Sequence, residues 1–271
     1  MIGGHDRGMP WTLAHAAAVV PLQRWSRGRL SFAGLVAGSM APDMPYYLLR
    51  FDLGQFAHTP AGTVLACVPL GLIALLLLYA LREPLVFALP QPHRAAWSAA
   101  LDPRAPLLAS PTPLLGRPAM GVAVLALSIL LGAWTHIAWD ACTHGTGWVV
   151  EQLPFLQQPF PGTTIGLYHG LQELSTIVGT AVLVVVYRGW LKPVVPARGS
   201  GDGWRYAALL ACIVVAAIIA SAFAAGDATT FNGVVALRVF LFRGALYGTV
   251  SFALLYLAVA IAAFTCRERR E

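Results

Sequence analysis

The segment WTHIAWDACTHGTGW, residues 134–148, sets His136, Asp140 and His144 four residues apart, directly after the apolar run MGVAVLALSILLGAW. On a helix that spacing aligns all three on one stripe, successive groups being offset by about 40°. Imidazole nitrogens and carboxylate oxygens form a borderline-hard donor set suited to zinc first, with manganese or iron as alternatives, so neighbours in the stripe can share a divalent ion. His136 and His144 would lie about 12 Å apart along the axis, too far to hold one ion together. Either His144 serves a second ion, or the helix ends near Gly145 and the chain turns.

Three further groups are expected at the same membrane face: His15 in WTLAHAAA, Asp43 after Pro42, and His58 in FAHTPAG. With His136 and Asp140 they supply three imidazoles and two carboxylates from four separated segments. Singly, each has a plain reading as a cap, turn or interfacial residue. Together they carry more, because ionisable groups at membrane spans are costly and usually face an interior site. An ion held there lowers the pKa of water and polarises a phosphoryl or carbonyl oxygen, and whichever of Asp43 and Asp140 is not a ligand can orient the water. His169, Gln172 and Glu173 follow at i, i+3, i+4, on one helical face. His169 or Glu173 is a candidate general base and Gln172 a candidate substrate contact, against an equally plain reading of each as a helix anchor. Thr135 and Thr143 read as hydroxyls bonded to backbone carbonyls.

The elements that position these groups belong to a membrane. Of 271 residues, 58% are hydrophobic and 11% charged, and the mean hydropathy is +0.68, outside the range of ordinary soluble domains. A net charge of +6 raises the possibility of nucleic acid, but the cations are scattered between apolar runs rather than gathered in a stripe with aromatics, so lipid headgroups are the expected partner and nucleic acid is excluded. Five stretches approach the roughly 20 residues that a helical crossing needs: residues 64–81, 120–139, 175–190, 206–223 and 244–264. The expected fold is therefore all-α, a polytopic helical bundle with an N-terminal helical hairpin. The hairpin arms, WTLAHAAAVVPLQRW and LSFAGLVAGSMAPDMPYYLL, are joined by the basic turn RWSRGR, and each is marginal as a span. They either dip into the bilayer or lie on the bundle. The Pro-rich stretch at 82–118 reads as an irregular connector. The four cysteines form no CxxC pair and read as small buried hydrophobes. No cleavable signal is visible in MIGGHDRGMPW.

Arg82, Arg94, Arg104 and Arg117, then Arg188, Lys192, Arg198 and Arg205, then Arg267, Arg269 and Arg270 fall in three segments that five crossings place on one side, whereas residues 140–172 contain no Lys or Arg. By the positive-inside rule the N-terminus is outside, the C-terminus cytoplasmic, and the polar constellation outside.

The blocks MPWTLAHAAAVVPL, GSMAPDMPYYL, FAHTPAG, GAWTHIAWDACTHGTGW and LYHGLQELSTIVG resemble, in order and spacing, the bacterial membrane family catalogued as domain of unknown function 4184. Their His, Pro-Asp, His-Thr and Thr-His-x-x-x-Asp elements are also similar to those of inner-membrane metal-dependent hydrolases, and distantly to zinc-dependent phospholipase C. That resemblance implies a site at His15, Asp43, His58, His136 and Asp140 in the bacterial cytoplasmic membrane. It starts at Met9, so residues 1–8, with His5, are expected to be a dispensable extension before a single membrane-embedded domain, 9–271. Within it, 9–191 carries the site and 205–265 supplies two accessory spans. The expected function is a metal-dependent hydrolase acting on a lipid or lipid-linked phosphoester. The alternatives are a transporter or proton relay, which His and Asp in a membrane also serve, and a purely structural metal. Against transport, the sequence shows neither inverted repeats nor paired broken helices.

Overall fold

Five helices are long and apolar enough to cross a membrane in the computed structural model: Pro60–Ala80, Met120–Gln152, Leu167–Leu191, Gly203–Ala228 and Gly233–Glu268. They correspond one to one with the five apolar stretches of the sequence. The structure describes residues 12–101, 118–160, 166–192 and 201–269. The extension at 1–8, with His5, and the basic residues Arg104, Arg117, Arg198 and Arg270 lie outside them.

The chain divides into two units, Met1–Leu75 with Leu108–Tyr187, and Leu76–Leu107 with Arg188–Glu271. The first begins with the hairpin. A tight 3-10 turn at Thr12–Ala18 runs into α1 (Val19–Ser26), and the basic turn reverses through left-handed Arg27 and Gly28. Ser31 then caps α2 (Phe32–Met40), its Oγ accepting from the Gly34 amide at 3.1 Å. After α2 come the short helices α3 (Met44–Tyr47) and α4 (Phe51–Ala57). Thr59 and Pro60 start the next helix as N-cap and first residue, the pairing that their chemistry favours. This helix comprises α5 (Pro60–Gly62), a π-helical turn at Thr63–Cys67, and α6 (Val68–Ala80).

The hairpin packs against α9 (Pro118–Thr143). Gly34 and Gly38 form a small-xxx-small pair on α2, and a Cβ on Gly38 would run into the Ile129 backbone. Across the crossing, a Cβ on Gly132 would meet the Leu35 carbonyl. With hydrogens in those places the two backbones approach closely, the means by which helices associate in lipid. Ser31 N donates to Ser128 Oγ at 2.9 Å across the same contact. Beneath the polar cluster, Ala41, Ala57, Ala66, Cys67 and Ala133 make a small-residue core. α9 ends at Thr143 and α10 (Trp148–Gln152) follows. The returning span, α11 (Leu167–Leu191), sets Gly179 against Ala14 and receives the Trp139 indole N–H on Ser175 Oγ at 3.0 Å.

In the second unit the described part of the connector, 82–101, carries two short helices in place of the irregular stretch expected. α7 (Arg82–Phe87) and α8 (His93–Ala100) form on either side of the Pro90 and Pro92 break, because Pro84 and Pro92 sit at or before first turns, where a missing N–H costs nothing. α12 (Gly203–Ala228) and α13 (Gly233–Glu268) pair through the buried stripe Cys212, Ala216, Ala220 and Ala224, with Gly248 opposite Ala220. α13 is longer than hydropathy suggests. Its early turns carry Arg243, which pairs with Asp227 of α12 at 3.3 Å. Cys67 and Cys212 are buried as expected, but Cys142 and Cys266 are exposed, since both lie near helix ends.

Candidate metal centre

Four segments of the first unit bring His15, Asp43, His58, His136 and Asp140 together. His58 Nε2 lies 3.5 Å from Asp43 Oδ1 and 3.5 Å from Asp140 Oδ2. His136 Nε2 lies 3.6 Å from Asp43 Oδ1 and 3.2 Å from Asp140 Oδ2. Metal–ligand bonds of 2.0–2.2 Å arranged as a tetrahedron hold their donor atoms about 3.3–3.6 Å apart. The four nitrogen–oxygen separations, 3.2–3.6 Å, lie close to four of the six edges of such a shell. The trios His15, Asp43, His136 and His58, His136, Asp140 each have donor atoms near enough to hold an ion.

Buried atoms left without hydrogen bonds provide a second test of fit. His15 Nδ1 and Nε2, Asp43 Oδ1, His136 Nε2 and Asp140 Oδ1 are buried with no such partner among the described residues. Orphaned polar atoms are expensive in a protein interior, and five together in one place have the chemistry of an ion's coordination shell. The far sides of the rings are fixed. His136 Nδ1 pairs with the Ser39 carbonyl at 2.7 Å and His58 Nδ1 with the Gly54 carbonyl at 2.8 Å. Donation of Nδ1–H to a carbonyl leaves Nε2 of each ring facing the carboxylates, the orientation that a metal-binding histidine needs.

Asp43 illustrates how local structure serves the site. It precedes α3 at the N-cap position, yet its side chain caps nothing. Instead Oδ2 accepts from Thr12 Oγ1 at 2.8 Å, and Thr12 Oγ1 accepts from the Tyr47 hydroxyl at 2.8 Å. Thr12 and Tyr47 escaped the sequence reading. Their signal was spacing alone: Thr12 lies three residues before His15, and Tyr47 four after Asp43.

Charge follows from these contacts. Burial, with His136 close by, pushes the pKa of His15 down to about 3, so this ring is neutral. Its plane stacks on His136 with centroids 3.9 Å apart, and Trp139 stands edge-on at 5.7 Å. For His58 burial again opposes the charge, but Asp140 and Asp43 outweigh it and raise the pKa to about 10. Burial also opposes ionisation of Asp43, and His136 and His58 overcome it to hold the carboxyl below its ordinary range.

α9 ends at Thr143, just before Gly145, as one of the two readings of His144 expected. The chain turns there, and His144 Nδ1 comes within 3.5 Å of Asp140 Oδ1. The same Oδ1 faces His15 Nε2 at 3.6 Å. Asp140 thus directs one oxygen at His58 and His136 and the other at His15 and His144. Gln172 Nε2 lies 3.4 Å from His144 Nε2, and Gln172 Oε1 3.4 Å from His169 Nδ1, which extends the polar cluster onto α11. Both are buried, whereas Glu173 is exposed. Access is one-sided: the His58 and His144 side chains are 24% and 18% exposed, against 1% for His15 and 0% for His136.

Comparison with known proteins gives one match. A family model described as Domain of unknown function (DUF4184) covers residues 9–261. No curated protein and no solved structure matches the chain.

Proposed function

We propose a function from one premise: the chain belongs to the family of domain of unknown function 4184, as the match over residues 9–261 shows. On our reading the protein is a multi-pass membrane hydrolase that uses a divalent ion, zinc first, on a lipid or lipid-linked phosphoester. The observation that carries this is the set of four nitrogen–oxygen separations of 3.2–3.6 Å among His58, His136, Asp43 and Asp140.

A bound divalent ion supplies a Lewis acid and lowers the pKa of nearby water. The chain's residues do the rest. Ser39 and Gly54 carbonyls hold the two imidazoles in the binding orientation, and Thr12 fixes Asp43. Asp140, whose second oxygen faces His15 and His144, would help to hold the ion or take a proton from water. Gln172 and His169 stand buried beside the partly exposed His144, and would support a donor and a base for a substrate phosphate from behind that residue. Hydrolysis is favoured over transport by depth. From Met120 to His136 a helix rises about 24 Å, so a hydrocarbon core of about 30 Å that starts near Met120 ends close to Asp140. A cluster at that level supports hydrolysis over a transport site at the midplane. The basic segments orient this face outside. Labelling of a cysteine placed at Glu151 in intact cells is the check, and reaction only after permeabilisation reverses the orientation.

The test of function is metal content and turnover on one preparation. Protein purified without chelators is expected to hold one or two transition ions per chain and to cleave a fluorescent phospholipid or a nitrophenyl phosphodiester. His136→Ala and Asp140→Asn should lose both metal and turnover. Metal below a tenth of an equivalent, with no uptake of added zinc or manganese, refutes the reading. Full metal without turnover on any phosphoester leaves a structural ion instead.

A further inference from the structure

The turn that joins α1 to α2 holds Arg24, Arg27 and Arg29 within six residues, and all three are exposed. None makes a hydrogen bond or ion pair through its guanidinium among the described residues, and no Asp or Glu occurs between residues 7 and 42. The backbone beneath them is fixed. Arg27 and Gly28 take left-handed conformations, with φ of 51° and 78°. The Arg27 N–H donates to the Arg24 carbonyl at 3.3 Å and the Arg29 N–H to the Ser26 carbonyl at 3.0 Å. Three like charges are thus gathered on one turn without a counter-charge. Apolar rings flank them, Trp25 being 82% and Phe32 43% exposed.

The packing of α2 on α9 gives this turn a depth. Ser31 meets Ser128, and eight residues on along each helix the Ser39 carbonyl meets His136, so the two helices run side by side in the same direction. The turn before Ser31 therefore lies further from the His/Asp cluster than Ser128 does. Ser128 is twelve residues before Asp140, a rise of about 18 Å. In a hydrocarbon core of about 30 Å that ends near Asp140, the turn stands beyond the midplane, toward the opposite face. Exposed guanidiniums at that depth are costly unless they extend to the nearer surface, as long cationic side chains do. An exposed Trp beside them is the side chain that favours the headgroup level.

We propose that this turn docks on the phosphates of anionic phospholipids in the leaflet opposite the His/Asp cluster, with Arg24, Arg27 and Arg29 as donors and Trp25 set among the headgroups. Charge complementarity selects the lipid. Three unpaired cations attract negative headgroups, whereas a zwitterionic headgroup brings an ammonium of its own. Planar guanidinium forks also match phosphate oxygens. The docking stands whether or not the His/Asp cluster turns over.

Full-length protein, stripped of lipid in a neutral detergent, is titrated with phosphatidylglycerol and with phosphatidylcholine, and binding is read by native mass spectrometry. Phosphatidylglycerol should bind more tightly. Each cation near a lipid surface accounts for about a fivefold change in affinity, so the triple variant Arg24→Gln, Arg27→Gln, Arg29→Gln should weaken the tightest phosphatidylglycerol site roughly 100-fold. The same three positions changed to Lys should keep the preference for phosphatidylglycerol. Ser26→Arg adds a fourth cation and should tighten binding about fivefold, a gain that misfolding does not imitate. A control of equal charge, Arg188→Gln, Lys192→Gln, Arg269→Gln, should leave the tightest site in place. Equal loss in the control, equal affinity for the two lipids, or no gain from Ser26→Arg overturns the proposal. Displacement of the lipid by equimolar inorganic phosphate would assign the turn to free phosphate and overturn it as well.

Discussion

Replacement of His58 by Gln should flatten the pH dependence of metal binding. In the metal-free protein Asp140 and Asp43 hold a proton on His58 up to about pH 10, and a ligand nitrogen must shed that proton before it can bind. Below that pH each unit of acidification therefore weakens zinc binding about tenfold, or about 1.4 kcal/mol. Between pH 8 and pH 6 the loss attributable to His58 is about a hundredfold, near 2.7 kcal/mol. His15, whose pKa is about 3, is already neutral in this range and adds nothing to the slope. The sign is opposite for the metal-free fold. There the raised pKa of His58 contributes stability that is complete below about 6.5 and is lost as pH rises through about 10. Zinc affinity is measured by competition with a chromophoric chelator at pH 6, 7 and 8, on wild type and His58→Gln. The slope of log affinity against pH should be steeper in wild type by about one. Equal slopes would show that His58 is not a ligand, and would refute the four-atom site.

Thr12→Val leaves Asp43 Oδ2 and the Tyr47 hydroxyl without their partner. It should lower zinc affinity about 10–100-fold in the same competition assay, while Tyr47→Phe, one bond further out, costs less. Gly38→Val drives a side chain into the Ile129 backbone. It should destabilise the hairpin by about 1–3 kcal/mol in detergent unfolding, and release metal with it. His144→Ala should leave an ion at His58, His136, Asp43 and Asp140, read as one equivalent by elemental analysis. A fall to zero would place His144 among the primary ligands.

Hydropathy made the five spans legible because length and apolarity are properties of a local stretch, and the His and Asp residues could be picked out because lipid makes them costly. What escaped depends on partners far along the chain. Ser39 and Gly54 serve the site through backbone carbonyls, which every residue has, so nothing in their side chains marks them. Thr12 and Tyr47 look like ordinary polar residues of a hairpin until the fold brings Thr12 to Asp43. The place of His144 turned on whether α9 stops at Thr143, and helix ends are set by hydrogen bonds that periodicity does not report. The first third of α13 was hidden by Arg238 and Arg243, which lower local hydropathy, although Asp227 pairs with Arg243 and makes it tolerable between helices.

The crossing of α2 on α9 also sets a schedule for synthesis. His15, Asp43 and His58 leave the ribosome before α9, and His136 follows His58 by about 80 residues. At 5–20 residues per second that interval lasts about 4–16 s. Throughout it the hairpin has no Gly132 to seat Gly38 and Leu35, and the early histidines have no Asp140. The nascent chain can assemble only a fragment of the coordination shell. An ion at this site can be fully held only after α9 has arrived.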